Sequence, residues 1–275
     1  MAEPLLIHSM VEFSCITLEA LQIANAKHVC EIGAEHGGNS VVLTQWLEER
    51  NGTLTSIDPA PSEAYLGWQK QHTDCVQLIK HLSFETIPKL DSQDAWFIDG
   101  DHNWFTVYHE LNAIYALQRN KKHPFLAFLH DISWPWARRD LYYAPDRIPA
   151  EFLHPHSWDH GVTLGSTELI DGGFRGCGTF AIARHQGGER NGVLTAVEDF
   201  EGEHPEEFYW AHIPGVFGLG ILFDRDHPAA LDLVKLLAPL HDHLLLKRLE
   251  TNRLANYLKV IELQDEAART TKKQA

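Results

Sequence analysis

From about Lys27 to Asp131, short apolar runs alternate with longer amphipathic stretches. HVCEIG (28–33) is a short run ending in glycine, followed by SVVLTQWLEER (40–50) with apolar residues at helical spacing. TLTSID (53–58) reads as a second strand, entered through the turn pair Asn51-Gly52. Residues 62–72 read as a helix and CVQLIK (75–80) as a third strand. AWFID (95–99) is a fourth strand, WFTVYHELNAIYALQRN (104–120) an amphipathic helix, and PFLAFLHD (124–131) a fifth strand. Parallel strands need crossover connections, so this alternation predicts an α/β fold: a doubly wound, Rossmann-like sheet with helices on both faces.

The pattern breaks from Ile132 to about residue 190, a stretch rich in Trp, Tyr, Pro, His and Gly with no sustained period. So long a segment with little regular structure is usually functional, and we read 132–190 as an insertion after strand five that covers the substrate. Residues 191–227 complete the core: a helix at 191–200, then strands FYWAHI (208–213) and GLGILFD (218–224). The turn signal Pro214-Gly215 between them predicts a late antiparallel pair in a mostly parallel sheet. Helical segments flank this core at 1–26 and 228–275. Leu recurs from Leu231 to Leu258, and two readings of that run stay open. One is a capping helix packed on residues 9–25; the other is a partner helix that makes a homodimer. The tail TTKKQA is expected to fray.

At 275 residues the chain is long enough to bury roughly three quarters of its unfolded surface. Its formal net charge of −15 repels phosphate backbones and anionic bilayers, which argues against nucleic-acid and membrane partners. The four cysteines (Cys15, Cys30, Cys75 and Cys177) form no C-x-x-C pair. With no leader-like start and no long apolar stretch, the expected compartment is a reducing cytoplasm.

The candidate chemistry begins where the first strand ends, in E-I-G-A-E-H-G-G-N-S (31–40). Gly33, Gly37 and Gly38 let the backbone turn tightly beside a ligand, and the following helix opens with unpaired N–H groups. The spacing is neither G-x-G-x-x-G nor a P-loop, and no Lys follows, which disfavours a triphosphate. Asp58, 25 residues after Gly33, ends the second strand where a carboxylate accepts the ribose hydroxyls of an adenosine-type cofactor. Together with S-I-D-P (56–59) and F-I-D-G-D-H (97–102), this stretch resembles class I S-adenosylmethionine-dependent methyltransferases. It is most similar to small-molecule and sugar O-methyltransferases of the macrocin type and to cephalosporin-hydroxylase-like proteins. The resemblance spans about 25–131 and does not cover 132–190. It implies S-adenosylmethionine as cofactor, with Glu31, Gly33, Asn39 and Ser40 at its methionine end, Asp58 at the ribose and Ser83 near the adenine.

Two further clusters end strands four and five: Asp99-Gly100-Asp101-His102 and His130-Asp131. Ligands of open α/β sheets bind at the carboxyl edge, so both clusters should face one crevice. Three carboxylates crowded there repel one another, and a divalent cation relieves that. The resemblance implies Asp99, His130 and Asp131 as its ligands. His130 departs from the acidic pattern and favours a metal softer than magnesium. It also implies Asp101 as the base for the acceptor hydroxyl, with His102 as second candidate. The function implied is methyl transfer to a hydroxyl of a small-molecule acceptor such as a sugar, glycan precursor or secondary metabolite. Alternatives are an oxygenase or hydrolase built on Asp99, His130 and Asp131, or a non-catalytic adenosyl-cofactor-binding protein. The histidines of H-P-H-S-W-D-H (154–160) offer a weaker second metal site, and Arg138, Arg139 and Arg175 a clamp for an anionic acceptor.

Overall fold

The computed structural model describes residues 9–274, so the sequence expectations for residues 1–8 and 275 fall outside it. A 3-10 turn (Met10–Phe13) leads into α1 (Ser14–Ile23). The core follows in the expected alternation: β1 (His28–Ile32), α2 (Gly38–Glu48), β2 (Thr53–Ile57), α3 (Glu63–Gln69) and β3 (Val76–Ile79). Then come the short α4 (Ser83–Thr86), β4 (Ala95–Ile98), α5 (Trp104–Lys121) and β5 (Leu126–His130). The 132–190 stretch contributes β6 (Leu141–Tyr142), β7 (His156–Ser157) and β8 (Ala181–Ala183). The chain ends with α6 (Val193–Glu203), β9 (Phe208–Ile213), β10 (Leu219–Asp224), α7 (Ala230–Leu237) and α8 (Leu244–Gln274).

Seven strands form one sheet in the order β3-β2-β1-β4-β5-β10-β9. β1 to β5 pair in parallel, and β10 runs antiparallel to both β5 and β9. Every residue of β4 and β5 is buried, because alternate side chains feed two different cores. Trp96 and Ile98 join the layer formed with α5 and α6, whereas Phe97 and Phe128 join α1, α2 and α7. The chain order reverses between β1 and β4, and that switch point sets the carboxyl ends of the two strands side by side.

The structure refines two sequence readings. The stretch after β5 is not without regular structure, because its three short strands pair in the order β6-β8-β7. Strands of two or three residues show no readable period. The Leu-rich C-terminal run is two helices, not one, separated at 238–243, where Pro239 blocks continuation. α7 packs on the layer that holds α1, as the capping reading expects. α8 instead lies against the insertion, with the Tyr257 ring 5.9 Å from that of Phe174, and it continues to Gln274, through most of the expected frayed tail. Among the described residues no helix is long and apolar enough to cross a membrane.

Candidate active site

The turn after β1 sits at the switch point, and its glycines are fixed by packing. Gly33 has φ +86°, and a Cβ there would fall 2.2 Å from the Asp99 carbonyl oxygen. Only glycine lets β1 end this close to the end of β4. Gly37 caps α2 at φ 82°, with the Tyr65 ring 2.5 Å from where its Cβ would stand. Asp58 binds this turn directly. Its Oδ2 accepts from the amides of Ala34 (3.0 Å) and Glu35 (2.8 Å), and its Oδ1 from Ala60 (2.7 Å). A carboxylate oxygen accepts two hydrogen bonds, so Oδ1 keeps capacity for a ligand hydroxyl. Asn39 Nδ2 donates to Glu31 at 2.9 Å, and the Ser40 hydroxyl donates to the other Glu31 oxygen. The cofactor residues expected from the sequence around this turn therefore form two bonded groups, Glu31 with Asn39 and Ser40, and Asp58 with the turn amides.

Burial pushes the Glu31 carboxyl up to about 7, against the Ser40 and Asn39 hydrogen bonds. A carboxyl raised in the fold holds its proton more tightly than in the unfolded chain. The stabilising protonated form is fully present below about 4.5 and is lost as pH rises towards 7. Glu31→Gln keeps an acceptor without the charge. It should raise Tm at pH 8 by roughly 3–5 °C, from about 2–3 kcal/mol of relieved desolvation. The gain should vanish near pH 4.5. Thermal melts across that range check it, and a pH-independent difference would refute it.

The ends of β4 and β5 converge as the sequence predicts, and they bring His102 with them. His102 Nε2 lies 3.1 Å from Asp131 Oδ2 and 3.4 Å from Asp99 Oδ1, yet makes a hydrogen bond to neither. Asp131 Oδ1 is also buried without a partner. Asp131 adopts φ 62°, a left-handed conformation that Asp tolerates. His130 Nε2 lies 2.9 Å from the Val216 carbonyl, which makes that nitrogen the donor. Nδ1 of His130 then faces Asp99 at 3.1 Å and Asp131 at 3.6 Å. Burial pushes both imidazoles down, but Asp131 and Asp99 outweigh it and hold them at about 9. Burial likewise pushes Asp99 up, and His130 and His102 outweigh that to hold it at about 2.

One ligand atom each from Asp99, His102 and Asp131 fits within a 4.8 Å span. Atoms that converge on a point without lying on hydrogen-bond axes suit a small cation, and the mixed N and O donors suit a borderline divalent metal. The family resemblance implied Asp99, His130 and Asp131 as ligands. The geometry adds His102, and His130 stands beside it with one nitrogen tied to backbone.

Asp101 lies at the rim of this cluster, accepting from the Tyr143 amide at 3.3 Å. Burial raises its carboxyl to about 6, against His102 and backbone hydrogen bonds. The Tyr143 side chain is 48% exposed, with its ring 6.1 Å from that of His102. Ser83 is buried, and its hydroxyl donates to Glu110 on α5. Sequence reasoning missed Glu110, a buried carboxyl that burial pushes up to about 8. Its signal was a lone acid on the apolar stripe of α5 beside Val107, Leu111 and Ile114.

Other candidates are occupied elsewhere. His154 meets the Arg190 carbonyl (2.8 Å), His156 the His154 carbonyl (3.1 Å) and His160 the Ser157 hydroxyl (2.9 Å). Arg138 pairs with Glu198 at 2.5 Å and Arg175 with Asp265 at 2.6 Å. Arg139 is buried on backbone carbonyls. None of the three is positioned as an anion clamp. Ser133, His212 and Asp242 form a hydrogen-bonded chain (2.8 and 2.9 Å), but Ser133 Oγ faces Gly218, whose Cβ would fall 2.4 Å from it. That closeness leaves no room for a substrate at the hydroxyl.

No curated protein matches the chain. Similar solved structures include the SAH-bound methyltransferase PaMTH1 of Podospora anserina. It is 13% identical, with 79% of this chain and 80% of that chain covered and a TM-score of 0.47. TomG of Streptomyces achromogenes, an O-methyltransferase involved in tomaymycin synthesis and solved with SAM, is 12% identical (78% and 80% covered, TM-score 0.46). The O-methyltransferase of Bacillus cereus, solved with SAH, is also 12% identical (78% and 81% covered, TM-score 0.46). A protein-family model described as a methyltransferase domain matches residues 30–132. That span, less than half of the chain, holds the Gly-rich turn, Asp58 and the cluster at the ends of β4 and β5, so the candidate site lies in the stretch that is similar to this family.

Proposed function

We propose that the protein transfers a methyl group from S-adenosylmethionine to a hydroxyl of a small acceptor, a sugar, glycan precursor or related secondary metabolite. The observation that carries this reading is one carboxyl edge with two differently built groups of residues. The bonded Gly-rich turn lies at the end of β1, and the Asp99, His102 and Asp131 group lies at the ends of β4 and β5. On this reading Asp58 holds the ribose through its remaining acceptor capacity. Glu31, Asn39 and Ser40 receive the methionine end, and Ser83 lies beside the adenine.

The cofactor supplies a methyl on a sulfonium, an already good leaving group, so the chain's task is alignment and removal of one proton. Asp101 takes the acceptor hydroxyl's proton; a carboxyl near 6 is mostly ionised at neutral pH and still basic enough. Asp99, His102 and Asp131 would hold a divalent ion, whose positive charge would make the proton of an acceptor hydroxyl easier to remove. Tyr143 and the 132–190 insertion cover the acceptor and exclude water.

Calorimetric titration with S-adenosylmethionine, with and without added manganese or zinc, tests the reading. We expect saturable micromolar binding that weakens at least about 100-fold in Asp58→Ala, since that change removes both the ribose acceptor and the clamp on the turn. Absence of binding by the folded protein would overturn the assignment and favour a metal-centred hydrolase or oxygenase.

A further inference from the structure

β9 and β10 are joined through a turn at 214–218 whose backbone is strained. Val216 has φ 44° and Phe217 φ 65°, two consecutive left-handed residues that carry side chains. A β-branched residue is a genuine outlier there, because its Cβ crowds the carbonyl that follows. Such a conformation persists only where the surroundings enforce it, and it points to a function. Contacts from two sides enforce this one. From α8, Glu250 Oε1 accepts the Phe217 amide at 3.1 Å. On the sheet side, the Val216 carbonyl lies 2.9 Å from His130 Nε2, and the Phe217 carbonyl accepts the Ser133 amide at 2.7 Å.

Glu250 is itself held in place. It is buried, and Arg253 donates to both of its oxygens, from Nε at 2.6 Å and from Nη2 at 2.7 Å. Burial raises its carboxyl, but Arg253 and the amides of Phe217 and Val216 outweigh that and hold it below the ordinary value, so it stays a charged acceptor. At the far side of the turn the chemistry is equally directional. A carbonyl only accepts, so Val216 makes Nε2 the nitrogen of His130 that carries a proton. In the neutral ring that a metal requires, the lone pair then sits on Nδ1, which faces Asp99 at 3.1 Å and Asp131 at 3.6 Å. A relaxed turn would withdraw the carbonyl and let either nitrogen hold the proton. We infer that Glu250 is a positioning residue: by holding the Val216–Phe217 turn in its left-handed form, it fixes His130 with Nδ1 towards the group formed by Asp99, His102 and Asp131. The effect on metal affinity rests on the metal reading above, whereas the bond at Nε2 does not.

Imidazole NMR on the full chain reads the bond at His130. Its Nε2 proton, identified by its absence in His130→Gln, should exchange slowly in the parent and in Glu250→Gln, whose carbonyl still accepts the Phe217 amide. In Glu250→Ala it should exchange rapidly with water. Calorimetry with manganese reads the consequence: affinity should fall at least about tenfold in Glu250→Ala and stay within about threefold in Glu250→Gln. Titration with S-adenosylmethionine, expected within a few-fold of the parent in each variant, shows that the fold is kept. In a Val216→Gly background glycine adopts the turn without strain, so there Glu250→Ala should lower affinity less than about threefold. That pair also carries the test if Glu250→Ala alone does not fold, and a tenfold loss in it would overturn the strained turn as the link. A slowly exchanging Nε2 proton together with parental manganese affinity in Glu250→Ala would overturn the role of Glu250. A parent that binds no manganese would overturn the metal reading instead, and the Nε2 proton would still decide whether Glu250 positions His130.

Discussion

Asp101→Asn should lower kcat by about 10²–10⁴ while leaving the affinity for S-adenosylmethionine within a few-fold of the parent. The substitution keeps size and the acceptor for the Tyr143 amide, and removes only the capacity to take a proton. The parent's rate should fall as pH drops through about 6, because the protonated carboxyl cannot act as base. In the variant that limb of the profile should be absent. Turnover on the preferred acceptor, measured between pH 5 and 9, decides the matter. A variant that retains turnover and the acid limb would remove Asp101 from the chemistry and leave His102, held near 9 by Asp131 and Asp99, as a poor alternative base when it carries its proton at neutral pH.

The sheet was legible because its signal is long-range and redundant. Each of β1 to β5 lies between turn residues and helices of clear period, and each falls within two residues of its expected limits. The carboxyl-edge rule then placed Asp99 and Asp131 together without side-chain information. His102 was harder to place. The resemblance makes it a second candidate base, but the chain turns at Gly100 and brings the imidazole back over Asp99, a local geometry that no pattern encodes. Asp58 was correctly placed at the end of β2, yet its bonds to the amides of Ala34, Glu35 and Ala60 come from loop conformation. The missed break in the C-terminal helix did have a signal. Pro239 sits inside the Leu repeat, and the missing N–H of proline should have outweighed the periodicity.

The insertion shows the limit most clearly, and it yields the second large effect. Two adjacent arginines are equivalent in sequence, but Arg138 reaches outward to Glu198 while Arg139 is 1% exposed. Arg139 Nη1 donates to the carbonyls of Ala183 (2.6 Å) and Arg184 (2.9 Å), and Nη2 donates to that of Thr167. One planar guanidinium thus ties the strand β8 to the loop before it. Arg139→Met fills similar volume but leaves these carbonyls unpaired at about 1–3 kcal/mol each, a total on the order of 4 kcal/mol or more. Lysine keeps the charge but cannot match the fork. Because the seven-stranded sheet does not depend on these bonds, the loss should be local. Hydrogen exchange should lose protection at 181–183 in Arg139→Met, and turnover should drop at least tenfold, with S-adenosylmethionine still bound. Native protection and native turnover in that variant would mean that the insertion is held by its aromatic packing around Trp136 and Phe174 alone, without the arginine as its anchor.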